Sequence, residues 1–131
     1  MNEFLWVEKY RPKNIEHCIL PKELKDTFAS FVKAGEVPNL LLCGTAGIGK
    51  TTVAKALCHE LRVDSIVINA SDERRFLDTV RNNAKQFAST VSLTSSAKHK
   101  VIIIDEADNT THDVQLLLRA SIEEFQNNCS F

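Results

Sequence analysis

Residues 44 to 51 read Gly44-Thr45-Ala46-Gly47-Ile48-Gly49-Lys50-Thr51, which fits the pattern G-x-x-x-x-G-K-[ST]. The motif lies between an apolar run at 40–43 and a helical-looking stretch at 52–61. A strand, a glycine-rich turn and a helix in that order open an α/β unit and leave few alternatives for the fold. The chemistry explains the spacing. A helix N-terminus offers unpaired backbone amides and the positive end of the helix dipole, which together suit a triphosphate. Gly44, Gly47 and Gly49 let the backbone curl closely around phosphate oxygens. Lys50 is placed to reach the β and γ phosphates, and the Thr51 hydroxyl suits a magnesium ion. ATP and Mg²⁺ are therefore the expected ligands.

A second motif supports the first. Lys100-Val101-Ile102-Ile103-Ile104-Asp105-Glu106-Ala107-Asp108 is a β-branched apolar run that ends abruptly in acid. It reads as a buried parallel strand. Ligands of open α/β sheets sit beyond the carboxyl ends of the strands, so Asp105 and Glu106 are expected beside the phosphate loop. Asp105 is then a magnesium ligand, and Glu106 orients the water that attacks the γ phosphate. Without the loop, the same acids read as a solvated strand end.

The remaining pattern implies alternating strands and helices. An N-terminal arm runs to Pro21, a helix spans 22 to 34, and the helix after the phosphate loop runs to about Arg62. A short strand at 66–68 leads into Asn69-Ala70-Ser71-Asp72, where Ser71 or Asp72 can cap the next helix. That helix, over 72 to 87, carries Phe76, Leu77, Val80, Ala84 and Phe87 on one face, and mainly Arg74, Arg75, Arg81 and Lys85 elsewhere. Residues 89–97 read as a polar loop. Asn109 to Thr111 can cap a final helix over 113 to 124. The order βαβαβα implies a parallel sheet with right-handed crossovers.

At 131 residues, 44% hydrophobic and 25% charged, the chain suits one soluble globular core. Its net charge of -1 provides no whole-chain basic field, so any nucleic-acid contact must be local. Cys18, Cys43, Cys58 and Cys129 show neither a C-x-x-C pair nor metal-ligand spacing, which points to a reducing compartment. No run approaches a membrane span, no signal-peptide pattern opens the chain, and a cytoplasmic home is expected. Asn128 to Phe131 looks like the entry to a further strand, so a truncated frame is expected, or a sheet completed by another chain.

Four ordered motifs together resemble the small subunits of sliding-clamp loaders: Trp6-Val7-Glu8-Lys9-Tyr10-Arg11-Pro12, the phosphate loop, Asn69-Ala70-Ser71-Asp72-Glu73-Arg74, and Asp105-Glu106-Ala107-Asp108. The chain is similar over nearly its whole length to replication factor C of the AAA+ family. Cys18-Ile19-Leu20-Pro21 and Val53 to His59 look closer still to the ATPase subunit of T4-like phage clamp loaders, which implies a phage or viral origin.

The resemblance implies an α/β P-loop NTPase of AAA+ type, a parallel sheet with flanking helices, truncated before sensor one and the helical lid. Residues 1–21 would be an arm contributing to the nucleotide site and 22–131 a partial AAA+ domain. Val7, Glu8, Lys9, Tyr10 and Ile19 would join Gly44, Gly47, Ile48, Gly49, Lys50, Thr51 and Thr52 around ATP, although Trp6 and Tyr10 also read as ordinary core or an exposed N-terminal arm. The resemblance further implies an ATP hydrolase, weak without a neighbour's arginine finger. Its partners would be the related subunits of a hetero-pentamer, a sliding clamp and primer-template DNA, with no membrane.

Arg81, with Arg75 and Lys85, would meet template phosphates. Arg74 would hold Glu106 away from water until DNA competes for it. Arg119 and Gln115 match family positions on the last helix. Arg75 stands where the family usually has glycine, and Thr45-Ala46 and Ile48 replace its usual Pro-Pro and Thr. The alternatives are another AAA+ replication or recombination ATPase, such as a helicase loader or Holliday-junction motor, and a non-hydrolysing nucleotide-binding scaffold.

Overall fold

The computed structural model describes residues 5–71, 73–90 and 99–131, with the backbone alone for 73–75. The chain divides into two compact units, Met1–Glu36 with Leu41–Leu61, and Val37–Leu40 with Arg62–Phe131.

The first unit is helical. α1 (Trp6–Lys9) is one turn, closed by the Tyr10 N–H donating to Trp6 O at 3.0 Å. α2 (Lys22–Ala34) starts after Pro21 and ends where the Gly35 N–H donates to Phe31 O at 3.0 Å. α3 (Lys50–Leu61) packs on α2 and buries Val53, Ala56 and Leu57, a stripe at three- and four-residue spacing, with Cys58 buried beside it. The arm before α2 is tied in. Ile15 and Cys18 are buried, and the Ile15 N–H donates to Glu60 Oε2 of α3 at 2.9 Å. Burial raises the pKa of the Cys18 thiol, which keeps it protonated and inert.

The second unit carries the sheet. β1 (Asp64–Asn69), β2 (Lys100–Asp105) and β3 (Cys129–Ser130) are parallel, in the order β1-β2-β3. β1 and β2 stay in register from Asp64 opposite Lys100 to Asn69 opposite Asp105. Parallel neighbours need crossovers, and helices supply both. The first crossover is α4 (Glu73–Asp78), a π turn (Thr79–Ala84) and α5 (Lys85–Ser89), with right-handed helical dihedrals at Asp78, Ala84 and Lys85. The second is a 3₁₀ turn (Ala107–Asn109) and α6 (His112–Phe125).

The expected regular helix over 72–87 is thus a longer helix with a widened middle. The reason lies in the spacing of its buried residues, Phe76, Val80, Ala84 and Ala88. A strict four-residue repeat outruns the 3.6-residue α period, and a π turn takes up the difference, keeping all four on one face. They meet Ile68, Ile102, Val114, Phe125 and Cys129 in one core, with Leu77 and Phe87 at its margin. Burial also raises the pKa of Cys129.

The strand expected at 40–43 does not form. Instead the Leu40 N–H donates to Phe131 O at 2.9 Å and the Phe131 N–H to Asn39 Oδ1 at 2.9 Å, while Ser130 Oγ donates to Val37 O. Leu41 is left 83% exposed, and the backbone of 41–43 takes no strand conformation. The expected polar loop at 89–97 falls mostly outside the described residues, as does the proposed Asp72 cap. Phe76 is wholly buried, so Phe76→Ala is expected to destabilise the fold by about 3–5 kcal/mol in chemical denaturation.

Candidate functional site

The glycine loop leads directly into α3, and the Val53 N–H donates to Gly49 O at 2.9 Å as one of that helix's first bonds. Gly44, Gly47 and Gly49 all take positive φ, at 148°, 77° and 96°. A Cβ on Gly47 or Gly49 would meet nothing within 4 Å, whereas one on Gly44 would come 2.1 Å from Ile48 Cδ1. The loop is therefore open at Gly47 and Gly49, while the Ile48 side chain lies over Gly44. Lys50 Nζ lies along the loop, donating to Gly44 O at 3.0 Å and Thr45 O at 2.7 Å. A half-exposed lysine, the opening amides of a helix and an open backbone fit a polyphosphate.

The arm brings a further cation to this loop. Arg11 Nη1 donates to Thr52 Oγ1 at 3.3 Å, and Arg11 Nη2 pairs with Glu8 Oε1 at 2.6 Å. That hydrogen bond, more than the field of Lys55, holds the Glu8 carboxyl below its usual pKa, so the pair persists as pH falls into the ordinary carboxylate range. Arg11 Nε is buried without a hydrogen-bond partner. Beside it, Lys9, Tyr10, Arg11, Lys13, His17 and His59 line an open groove of about 520 Å³.

Sequence reasoning left Arg11 out of the site, although its three-residue offset from Glu8 is the spacing of a helical ion pair. Nothing in the pattern marked His59. Val7, Tyr10 and Ile19 are exposed, and Trp6 with them, so of the two plain readings of Trp6 and Tyr10 the structure agrees with the exposed arm and not with core.

In the second unit, Asp105 is half-buried at the carboxyl end of β2 and Glu106 is exposed just beyond it. Glu106 adopts φ 56°, ψ 38°, a left-handed conformation that costs a residue with a side chain, and its N–H donates to Asp105 Oδ1 at 3.1 Å. The chain thus breaks out of the strand direction immediately after the acid. Asn69 sits opposite Asp105, the Ala70 N–H donates to Asp105 O at 2.9 Å, and Asn69 Oδ1 accepts from the Ser71 N–H at 2.8 Å. Two motifs far apart in sequence therefore meet at one end of the sheet.

Arg81 is exposed on the π turn. Lys85 is exposed too, but Glu124 Oε2 of α6 lies 3.8 Å from its Nζ and offsets its charge. The side chains of Arg74 and Arg75 lie outside the described residues. Gln115 and Arg119 line a shallow groove on α6 with Leu118, Ile122 and Glu123. Among the described residues no His, Cys, Asp and Glu cluster is arranged to hold a metal, and no helix is long and apolar enough to cross a membrane.

A glycine loop opening a helix, and a parallel strand ending in paired acids, define a nucleotide-binding α/β protein. The family model described as "ATPase family associated with various cellular activities (AAA)" matches residues 40–130, and the chain belongs to that family. Across its whole length the chain is similar to the replication factor C small subunit of Saccharolobus solfataricus, at 43% identity over 136 aligned positions. The small subunit of Methanocella arvoryzae is 44% identical over 97% of the chain, and that of Thermofilum pendens 41% identical over all of it. The chain spans about two fifths of the length of these curated relatives, 41%, 40% and 41% respectively. All three are archaeal proteins and lend no support to a phage origin.

The backbone strain of the loop can be measured. Gly44→Ala forces a rare φ and is expected to cost about 1–3 kcal/mol of stability. Ile48 is half-exposed and its terminal methyl can turn aside, so adding Ile48→Ala should recover little of that loss in a double-mutant cycle by thermal denaturation.

Proposed function

We propose that this chain is the nucleotide-handling part of an ATPase subunit of a sliding-clamp loader, coupling ATP binding and hydrolysis to the opening of a clamp and its closure on primer-template DNA. The observation that carries this is identity of 41–44% across the whole chain to replication factor C small subunits, rather than to the loop alone. The loop backbone from Gly44 to Gly49, with the opening amides of α3 at Lys50, Thr51 and Thr52, cradles the phosphates. Lys50 exchanges its bonds to Gly44 O and Thr45 O for phosphate oxygens. Val7, Glu8, Lys9, Tyr10, Ile19 and Ile48 surround the base and sugar, with Arg11 holding the arm against Thr52.

Thr51 and Asp105 would hold Mg²⁺, which when bound neutralises phosphate charge. Glu106 accepts the proton of the attacking water, and its left-handed backbone swings that carboxylate clear of the strand. Arg81 meets DNA phosphates and fixes position without reading sequence. Arg75 and Lys85 support it, Lys85 less strongly because of Glu124. Arg74 restrains Glu106 until DNA competes. The related subunits, the clamp and primer-template DNA are the partners, and the setting is the cytoplasm.

The test uses the full-length protein assembled with its partner subunits. ATP turnover should rise sharply when clamp and primer-template DNA are both present. Lys50→Ala should abolish it, and Glu106→Gln should retain ATP binding while slowing turnover by about 10²–10⁴-fold. Turnover indifferent to the clamp would assign the chain to another AAA+ replication ATPase. Arg81→Ala should weaken DNA binding for every sequence alike, and flatten the plot of log affinity against log salt by about one unit.

A further inference from the structure

Lys100 has no part in the site described above, yet it is a lysine only 6% exposed at the first position of β2. A buried ammonium needs partners for its protons. It finds them at the end of the helical crossover: Nζ donates to Phe87 O at 2.6 Å, to Thr90 O, and to Thr90 Oγ1 at 2.8 Å. It also lies 4.7 Å from the centre of the Phe87 ring. All three N–H donors are thus spent on the carboxyl end of α5, where the helix dipole favours a cation. No carboxylate is among these partners.

The opposite end of the same strand carries Asp105, and there the Ala70 N–H donates to Asp105 O just ahead of α4. The helical crossover is therefore fastened to β2 at both of its ends, by a backbone bond beside Asp105 and by the Lys100 ammonium. Between the fastenings lies the π turn with exposed Arg81. A π turn interrupts the regular helical ladder and is one of the few places where a helix kinks.

We propose that Lys100 is a positioning residue: it clasps the carboxyl end of α5 to β2, so that a load on the π turn is transmitted to the Asp105 end of the strand instead of being lost by slippage of the helix. The proposal rests on the functional reading above, in which Arg81 meets DNA and Asp105–Glu106 serve hydrolysis. Lys100 acts through the helix and touches neither ligand. The carbonyls of Phe87 and Thr90 need a donor of this length, so arginine can substitute in part and methionine cannot.

The experiment compares Lys100→Met, Lys100→Arg and Thr90→Ala with wild type in the full-length assembled protein. Thr90→Ala deletes one acceptor and leaves the buried cation in place, so it tests the clasp even if Lys100→Met fails to fold. Amide exchange at 85–90 reads the clasp, and ATP turnover with and without primer-template DNA reads the coupling. Expected are at least tenfold faster exchange at 85–90 in Lys100→Met and a smaller increase in Thr90→Ala. DNA stimulation should fall at least fivefold in Lys100→Met, ATP affinity should stay within twofold, and Lys100→Arg should recover at least half of the stimulation.

Unchanged exchange in both Lys100→Met, where it folds, and Thr90→Ala overturns the clasp. Loosened exchange with full DNA stimulation, or stimulation lost together with ATP affinity, overturns the coupling. Wild-type turnover that ignores DNA refutes the functional reading and the coupling with it, and is distinguishable because exchange at 85–90 still reports on Lys100.

Discussion

Six consecutive residue pairs between β1 and β2 organise the second unit. Because the pairing is parallel and in register, it fixes which groups share an end of the sheet. Asn69 and Asp105 come together at one end, and Asp64 and Lys100 at the other. A one-residue slip would turn Ile102 out of the core and point a different side chain towards the acid end. The helix between the strands then has only one way to lie, with the Phe76 to Ala88 stripe on Ile68 and Ile102. The sharp exit at Glu106 depends on the strand stopping at Asp105 and not a residue later.

The ladder and the loop are two solutions to one electrostatic problem. Backbone N–H groups are plentiful, fixed and uncharged, and both the glycine loop and the strand ends use them to hold position while a few side chains carry charge. Lys50 and Lys100 illustrate the division. Each donates to backbone carbonyls, but Lys50 is half-exposed on a loop of left-handed glycines, while Lys100 is enclosed at the head of a strand. The first can exchange its partners at little cost. The second cannot do so without leaving an ammonium unsolvated.

Much of this was legible in sequence because it depends on local chemistry. The glycine spacing announced the loop, the run at 100–105 announced a central strand, and the three- and four-residue apolar spacing announced the helices. What escaped depends on distant partners. The stretch at 40–43 has the composition of a strand, but strand formation is decided by a partner backbone that local composition does not name. The π turn was implicit in the interval between Phe76, Val80, Ala84 and Ala88, yet Leu77 and Phe87 blurred that interval into an ordinary helical face. Lys100 stands at the start of the apolar run with no role of its own legible there, since nothing in its neighbourhood names Phe87 and Thr90 as its acceptors. Arg11 escaped for the opposite reason. Its partner Glu8 is three residues away, but its tie to Thr52 spans the unit.

β1 has a described neighbour on one side only, and that asymmetry bears on how such a chain behaves in concentrated solution. Its outer edge is a row of peptide groups with no ladder of their own, and Val67 on it is half-exposed. Asp64 at its head is the single charge in the strand, and neither a proline nor a lysine interrupts it. Natural sheets usually guard an edge with such residues because an unguarded edge recruits strands from other molecules. Colloidal stability at this edge therefore rests on the brevity of the strand and on one carboxylate.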